Sequence, residues 1–445
     1  MTQQRHPEAS DPSIDPGIDP SIARGMTRPR ISRRQLGAGV GALGLGAFLA
    51  ACGVKGASAP AGGSTPAGGV GTAAWWAKQK LNHKVNFANW AYYIDVLNGK
   101  HPTLEHFTQT TGIAVSYSEA IADNTSFYAK IRPSLQAGQY IGYDIVVLTT
   151  NNPPLHLMMN QGWLIPLDHS LMPNFTKYAG PRVSSPPWDP GNKYTMAWQS
   201  GWTTVGYNSR VVKNPGDSVN LLFDKKYAGK IGMLSDPYEL GTVGMLALGI
   251  DPQTSTESDW AKAAKKLQQQ KSDGLVRAYY DQNYIDHFKS GDTFVTQAYS
   301  GDIFQANLNS KFRDLVMMVP AEGMGFWTDN MCIPVGAQNP KDAMALMDYY
   351  YDPQVQAVME YYENYVCPVP SASQEILNPA TAWEKQTIAQ LQKAGSPPPN
   401  TVANAPTIFP SAAFMQQHSK NYYQFKSQEE LNAWNNLFVP IIQGA

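Results

Sequence analysis

From residue 84 onward the chain alternates short apolar runs with stretches of helical periodicity. Val85-Asn86-Phe87-Ala88 reads as a strand, and a helix from Thr103 stops at Gly112. Ile113–Tyr117 is a second strand, and a helix over 124–136 follows with Asn124 as its cap. Asp144-Ile145-Val146-Val147-Leu148 is a continuous apolar run, the pattern of a parallel strand buried on both faces. This β-α-β-α-β order predicts an α/β fold with helices on both faces of a sheet.

A second unit begins after a long strand over 194–207. It holds strands over 230–234, 293–299, 315–320 and 331–335, and helices over 259–271 and 301–308. Helices over 340–351, 353–362 and 428–437 follow, with a loop at Pro397-Pro398-Pro399. No repeat of solenoid or propeller period is present.

The start of the chain is a different kind of sequence. Arg33-Arg34 precedes a Gly-rich apolar run that ends in Leu49-Ala50-Ala51-Cys52. Such a segment reads as a twin-arginine export signal with a lipobox, in which Cys52 carries the lipid. The run is shorter than the roughly 20 residues that span a bilayer. The Asp-Pro-rich residues 1–25 read as disordered or untranslated, with Met26 the expected start. Residues 53–83 read as a linker. Its Gly/Ala/Ser/Pro part, 53–74, spans about 25 Å on average. The expected location is extracytoplasmic, in the periplasm or on the outer face of the cell membrane, tethered by lipid.

Charge narrows the partners. The chain carries −1 overall, and residues 1–52 hold two more bases than acids, so the remainder carries −3. That is not the basic footprint of a nucleic-acid binder. With Cys52 lipidated, Cys332 and Cys367 remain, either as a disulfide or as two buried thiols. No metalloprotease, nucleophile-elbow, phosphate-loop or paired-cysteine motif is present, and the scattered histidines predict no metal site. No cofactor is expected.

What recurs is an aromatic residue beside a strand end with a carboxylate close by. Asn89-Trp90-Ala91-Tyr92-Tyr93 follows the first strand, and Asp236-Pro237-Tyr238-Glu239 follows the strand ending at Leu234. Tyr299 ends another strand, and Phe326-Trp327-Thr328-Asp329 precedes the next. In open α/β sheets ligands gather at the carboxyl ends of strands. Ring faces attract ammonium and cover methylenes, and carboxylates accept its N–H bonds, so the pattern suits an organic cation.

These motifs, with Thr111-Gly112-Ile113-Ala114-Val115, Tyr143-Asp144-Ile145-Val146-Val147 and Asn364-Tyr365-Val366-Cys367-Pro368, resemble the spermidine/putrescine-binding proteins of ATP-binding-cassette (ABC) importers over residues 84–370. The resemblance implies a two-lobed periplasmic-binding-protein fold of the second type, with the ligand in the cleft between lobes. One lobe would be 84–196 plus 331–445, the other 197–330. It also implies a non-enzymatic receptor, a monomer that carries a polyamine to permease subunits. Trp90 and Tyr93 would line the slot, Asp236 and Glu239 would hold one amine, and Asp329 another. Trp327 would stack on the methylene chain, and Tyr365 would close the site. Thr149, Asn151, Asp281 and Tyr299 complete the implied ligand set. The chain departs from the family pattern at Asn151, where polyamine binders place a tyrosine, and at Tyr299, where they place a tryptophan. The residues alone leave other solutes open, among them a quaternary amine, an amino-acid derivative, a sugar or iron. A lipoprotein enzyme is less favoured, since no nucleophile can be named.

Overall fold

Five consecutive buried positions make Ile145–Thr149 a strand covered on both faces, and the first half of the sheet assembles on it. The computed structural model describes residues 69–281, 283–308 and 313–444. The export signal, Cys52 and the linker up to residue 68 lie outside the described residues. The strands are β1 (Lys84–Trp90), β2 (Ala114–Ile121), β3 (Ile145–Thr149), β4 (Met196–Asn208), β5 (Ile231–Leu234), β6 (Val276–Tyr280), β7 (Val295–Tyr299), β8 (Leu315–Met317), β9 (Met324–Cys332) and β10 (Ser419–Lys420). The main sheet runs β2-β1-β3-β9-β4-β7-β5-β6.

Its two ends are parallel and its middle is antiparallel. β1 pairs parallel with β2 and β3, and β5 pairs parallel with β6 and β7. The long strands β4 and β9 pair antiparallel with each other and with their outer neighbours β7 and β3. One apolar core, with Phe87, Ile145 and Tyr351, covers the first end. Another, with Ile231, Trp260 and Trp434, covers the second. β4 and β9 therefore carry the chain between two lobes, and the carboxyl ends of β3 and β7 point toward the middle where they cross.

The structure corrects several expectations. The linker does not extend to residue 83. Thr72 caps a short helix, Ala73–Trp76, and the Trp76 indole is 1% exposed and donates to the Pro166 carbonyl at 2.9 Å. The first lobe does not run to the C-terminus. Phe425, Trp434 and Phe438 of the last segment pack with Tyr238 and Trp260 in the second core. The strand expected over 331–335 lies earlier, as β9, and β6 is an additional strand. The cap of the helix Asn124–Gln136 is Asp123, whose carboxylate accepts from Ser126 N–H at 2.7 Å. Cys332 and Cys367 are free buried thiols, not a disulfide. Cys332 sits on β9 opposite Val146, whereas the Cys367 sulfur turns to the Val369 carbonyl at 3.2 Å.

Trp76→Ala is expected to destabilise the protein by about 3 kcal/mol, the usual cost of removing a buried tryptophan. Denaturant unfolding measures this, and a linker residue would show a change within about 0.5 kcal/mol.

Candidate functional site

Strand register builds the first part of the site. β3 and β9 align Thr149 with Asp329, and β4 and β9 align Gln199 with Asp329. The Asp329 carboxylate, 6% exposed, accepts from the Tyr93 hydroxyl at 2.8 Å and from the Thr149 hydroxyl. Thr149 is fixed in turn by Asn124, whose amide donates to the threonine oxygen at 3.1 Å and accepts from its N–H at 3.2 Å. The residue expected as a helix cap thus positions the site.

Aromatic rings form the wall beside it. Tyr365 packs edge-on against Tyr93 and Trp327, with ring centres 5.6 and 5.5 Å apart. Trp327 meets Tyr299 at 5.9 Å and 90°. The Trp327 indole lies across β4 because position 201 is glycine; a Cβ there would come within 2.4 Å of the ring. Asp302, on the helix Ser300–Leu308, accepts from Tyr365 at 2.9 Å and from Tyr284 at 2.7 Å, holding both phenols.

The second lobe supplies the other carboxylates. Asp236 caps the helix Pro237–Leu246, accepting from Tyr238 N–H at 2.7 Å and Glu239 N–H at 3.0 Å. Glu239, 1% exposed, accepts from the Asn151 amide at 2.7 Å and the Tyr422 hydroxyl at 2.6 Å. Trp90 is half-buried at the end of β1, with no hydrogen-bond partner for its indole N–H among the described residues. Asp281 is exposed and accepts from Ser235, one residue ahead of Asp236. The structure thus joins Tyr93, Thr149, Trp327, Tyr299, Tyr365 and Asp329 in one contact chain, and Asn151 with Glu239. Sequence reasoning misses Asn124, Asp302, Tyr284 and Tyr422 as site residues. The first three carry no local motif, and Tyr422 lies beyond the region of resemblance.

Electrostatics set the chemistry. Burial pushes the Asp329 carboxyl up to about 6, against the pull of the Thr149 and Tyr93 hydrogen bonds. Burial and the charge of Asp236 push Glu239 up to about 8. Burial also raises Asp236, opposed by the two N–H bonds at its helix end. Burial raises the Tyr299 phenol well above its ordinary range, and the charges of Glu239, Asp236, Asp302 and Asp329 add to it. Among the described residues no Lys, Arg or His forms an ion pair with Asp236, Glu239 or Asp329. Hydroxyl, amide and ring lining can place a bound amine, and the site is short of positive charge. No group of three or more His, Cys, Asp or Glu among the described residues is placed to hold a metal.

Because the Asp329 carboxyl keeps its proton in the fold to higher pH than in the unfolded chain, stability falls as pH rises from about 4 to about 6. Asp329→Asn is expected to remove a pH-dependent loss on the order of 2 kcal/mol over that window. Denaturant unfolding of wild type and variant at pH 4, 5, 6 and 7 checks it, and parallel pH profiles would count against a perturbed Asp329.

Comparison with known proteins gives the lineage. A family model described as bacterial extracellular solute-binding protein matches residues 103–407. The putrescine-binding periplasmic protein SpuD of Pseudomonas aeruginosa is 30% identical over 329 residues, covering 69% of this chain and 86% of its own. The spermidine/putrescine-binding periplasmic protein of Escherichia coli is 27% identical over 307 residues, covering 68% of this chain and 82% of its own. In fold, the chain superposes on a putative spermidine/putrescine ABC transporter protein of Listeria monocytogenes with a TM-score of 0.64 at 23% identity, covering 82% of this chain and 100% of that one. The two-lobed α/β architecture is that of the periplasmic binding proteins, and the chain belongs to the bacterial extracellular solute-binding protein family.

Proposed function

We propose that this protein is an extracytoplasmic, lipid-anchored receptor that delivers a polyamine-like cation to an ABC importer. The observation that carries the reading is the buried Asp329 carboxylate, held by the Tyr93 and Thr149 hydroxyls and paired with no cation among the described residues, with Tyr299, Trp327 and Tyr365 as an aromatic wall alongside. A buried carboxylate without a cation costs several kcal/mol in lost solvation. An alkylammonium entering the cleft offsets that cost, donates to Asp329 or Asp236, and lays its methylenes on the rings. An anion would meet like charge here.

The relatives' names favour putrescine and spermidine as ligands. Lipid attachment at Cys52 is favoured by Leu49-Ala50-Ala51-Cys52, with the chain up to about residue 71 serving as tether before Thr72 and Trp76 dock on the first lobe. The protein works without turnover as a monomer, and permease subunits receive the ligand.

Calorimetry with putrescine, spermidine, spermine and agmatine tests the reading. At least one is expected to bind, and Asp329→Asn to weaken it more than tenfold, since stripping one partner from a buried charge pair typically costs about 3–5 kcal/mol. No heat from any of the four with wild type would exclude this ligand class.

A further inference from the structure

Asp302 lies outside the set of residues that the resemblance assigns to the ligand, yet its carboxylate organises the aromatic wall. Each of its oxygens accepts from a different phenol, Oδ1 from Tyr365 at 2.9 Å and Oδ2 from Tyr284 at 2.7 Å. The Tyr284 oxygen in turn accepts from the Tyr299 N–H at 2.9 Å, at the end of β7. Tyr284 is fully buried, and its ring meets that of Tyr299 edge-on at 6.1 Å. Asp302 is therefore fixed on one side by a buried phenol that is itself tied to the sheet.

Tyr365 meets it from the other side. It comes from the segment after the helix Pro353–Glu363, and the next residue, Val366, exchanges backbone hydrogen bonds with Ser200 of β4 at 3.2 and 2.7 Å. The Tyr365 ring lies on the start of the helix Ser300–Leu308, where position 301 is glycine; a Cβ there would come within 2.5 Å of the ring. One turn further along that helix, the Gln305 amide donates to the Glu363 carbonyl at 2.9 Å, which holds the two segments in register. A phenol hydroxyl carries one proton. With that proton given to Asp302, the Tyr365 oxygen has only lone pairs to offer a group in the cleft. Lone pairs are what an ammonium N–H requires.

We infer that Asp302 is a positioning residue for the amine site: it directs the Tyr365 hydroxyl so that its oxygen accepts from the ligand's ammonium, and it holds that ring against Tyr93 and Trp327. The inference rests on the cation-receptor reading. It leaves Asp236, Glu239 and Asp329 as the carboxylates for the amines and adds one neutral acceptor beside them. Accepting from two phenols at once takes two acceptor oxygens, which a carboxylate has and an amide lacks. With asparagine at 302 and its oxygen on Tyr284, the amide N–H donates to Tyr365. The Tyr365 proton then turns into the cleft and opposes an ammonium.

The test is a double-mutant cycle on the mature protein, with Asp302→Asn, Tyr365→Phe and the double variant, and with Asp302→Ala as a second way to remove the acceptor. Putrescine and spermidine affinities are read by calorimetry, and stability without ligand by denaturant unfolding. Asp302→Asn and Asp302→Ala are each expected to weaken binding about tenfold. Asp302→Asn is expected to weaken it less than about threefold once Tyr365 is phenylalanine, because residues that act as one unit are not additive. A tenfold loss in both backgrounds would show that Asp302 acts on the amine by its own charge and would overturn the inference. So would Asp302 variants that bind like wild type. If wild type binds neither polyamine, the receptor reading fails and the amine role falls with it. The unfolding cycle still decides the positioning: a double variant no less stable than the weaker single variant supports it, and losses that add in the double variant refute it.

Discussion

A carboxylate on a strand buried along its whole length constrains everything around it. Asp329 lies in β9, where all nine positions from Met324 to Cys332 are buried. Nothing in a sheet interior solvates a charge, so the chain must bring donors to it. It does so by register, with Thr149 opposite on β3, and by reach, with Tyr93 donating from beyond the end of β1. Asn124 then locks Thr149. These are all neutral donors. They hold the carboxylate in place without cancelling its charge, which leaves the site poised for a cation supplied from outside.

The same strands that create this constraint also join the lobes. β4 and β9 run through the middle of the sheet, and the bridge between Ser200 and Val366 brings a third segment of chain to the crossing. Groups from both sides of these crossings meet by hydrogen bonds. Tyr365 reaches Asp302 from the segment after the helix Pro353–Glu363, and Asn151 reaches Glu239 from the loop after β3. Rotation of one lobe about the crossing strands would part these pairs while leaving the Asp329–Thr149 pair, within paired strands, intact.

Much of this is legible in the sequence, for physical reasons that also explain what is not. β3 is plain because a strand buried on both faces is almost wholly apolar. β9 is harder to place because it is buried just as fully but carries Thr328, Asp329 and Asn330, polar residues that periodicity assigns to a loop. The strand is polar because it is the site. Trp327 and Asp329 stand out through their aromatic-acidic pairing, and Asp236 through its place after a strand. Asn124 acts through a partner 25 residues away, Asp302 through partners 18 and 63 away, and Tyr422 through one 183 away, separations that no local pattern encodes. Trp76 reads as linker because it follows closely on the Gly/Ala/Ser/Pro tract 53–74, and its partner, the Pro166 carbonyl, lies 90 residues away. The free thiols of Cys332 and Cys367 show the same limit: an even count permits a bond that the fold does not form.

A buried, partly protonated Asp329 is the charge that a cationic ligand would neutralise. Calorimetry of polyamine binding at pH 6 in buffers of differing ionisation enthalpy tests this directly, since Asp329 is raised to about 6 and a bound ammonium drives off its remaining proton. Release of about half a proton per ligand is expected from the wild-type protein and is lost in Asp329→Asn. Binding heats that are independent of buffer in the wild-type protein would contradict it.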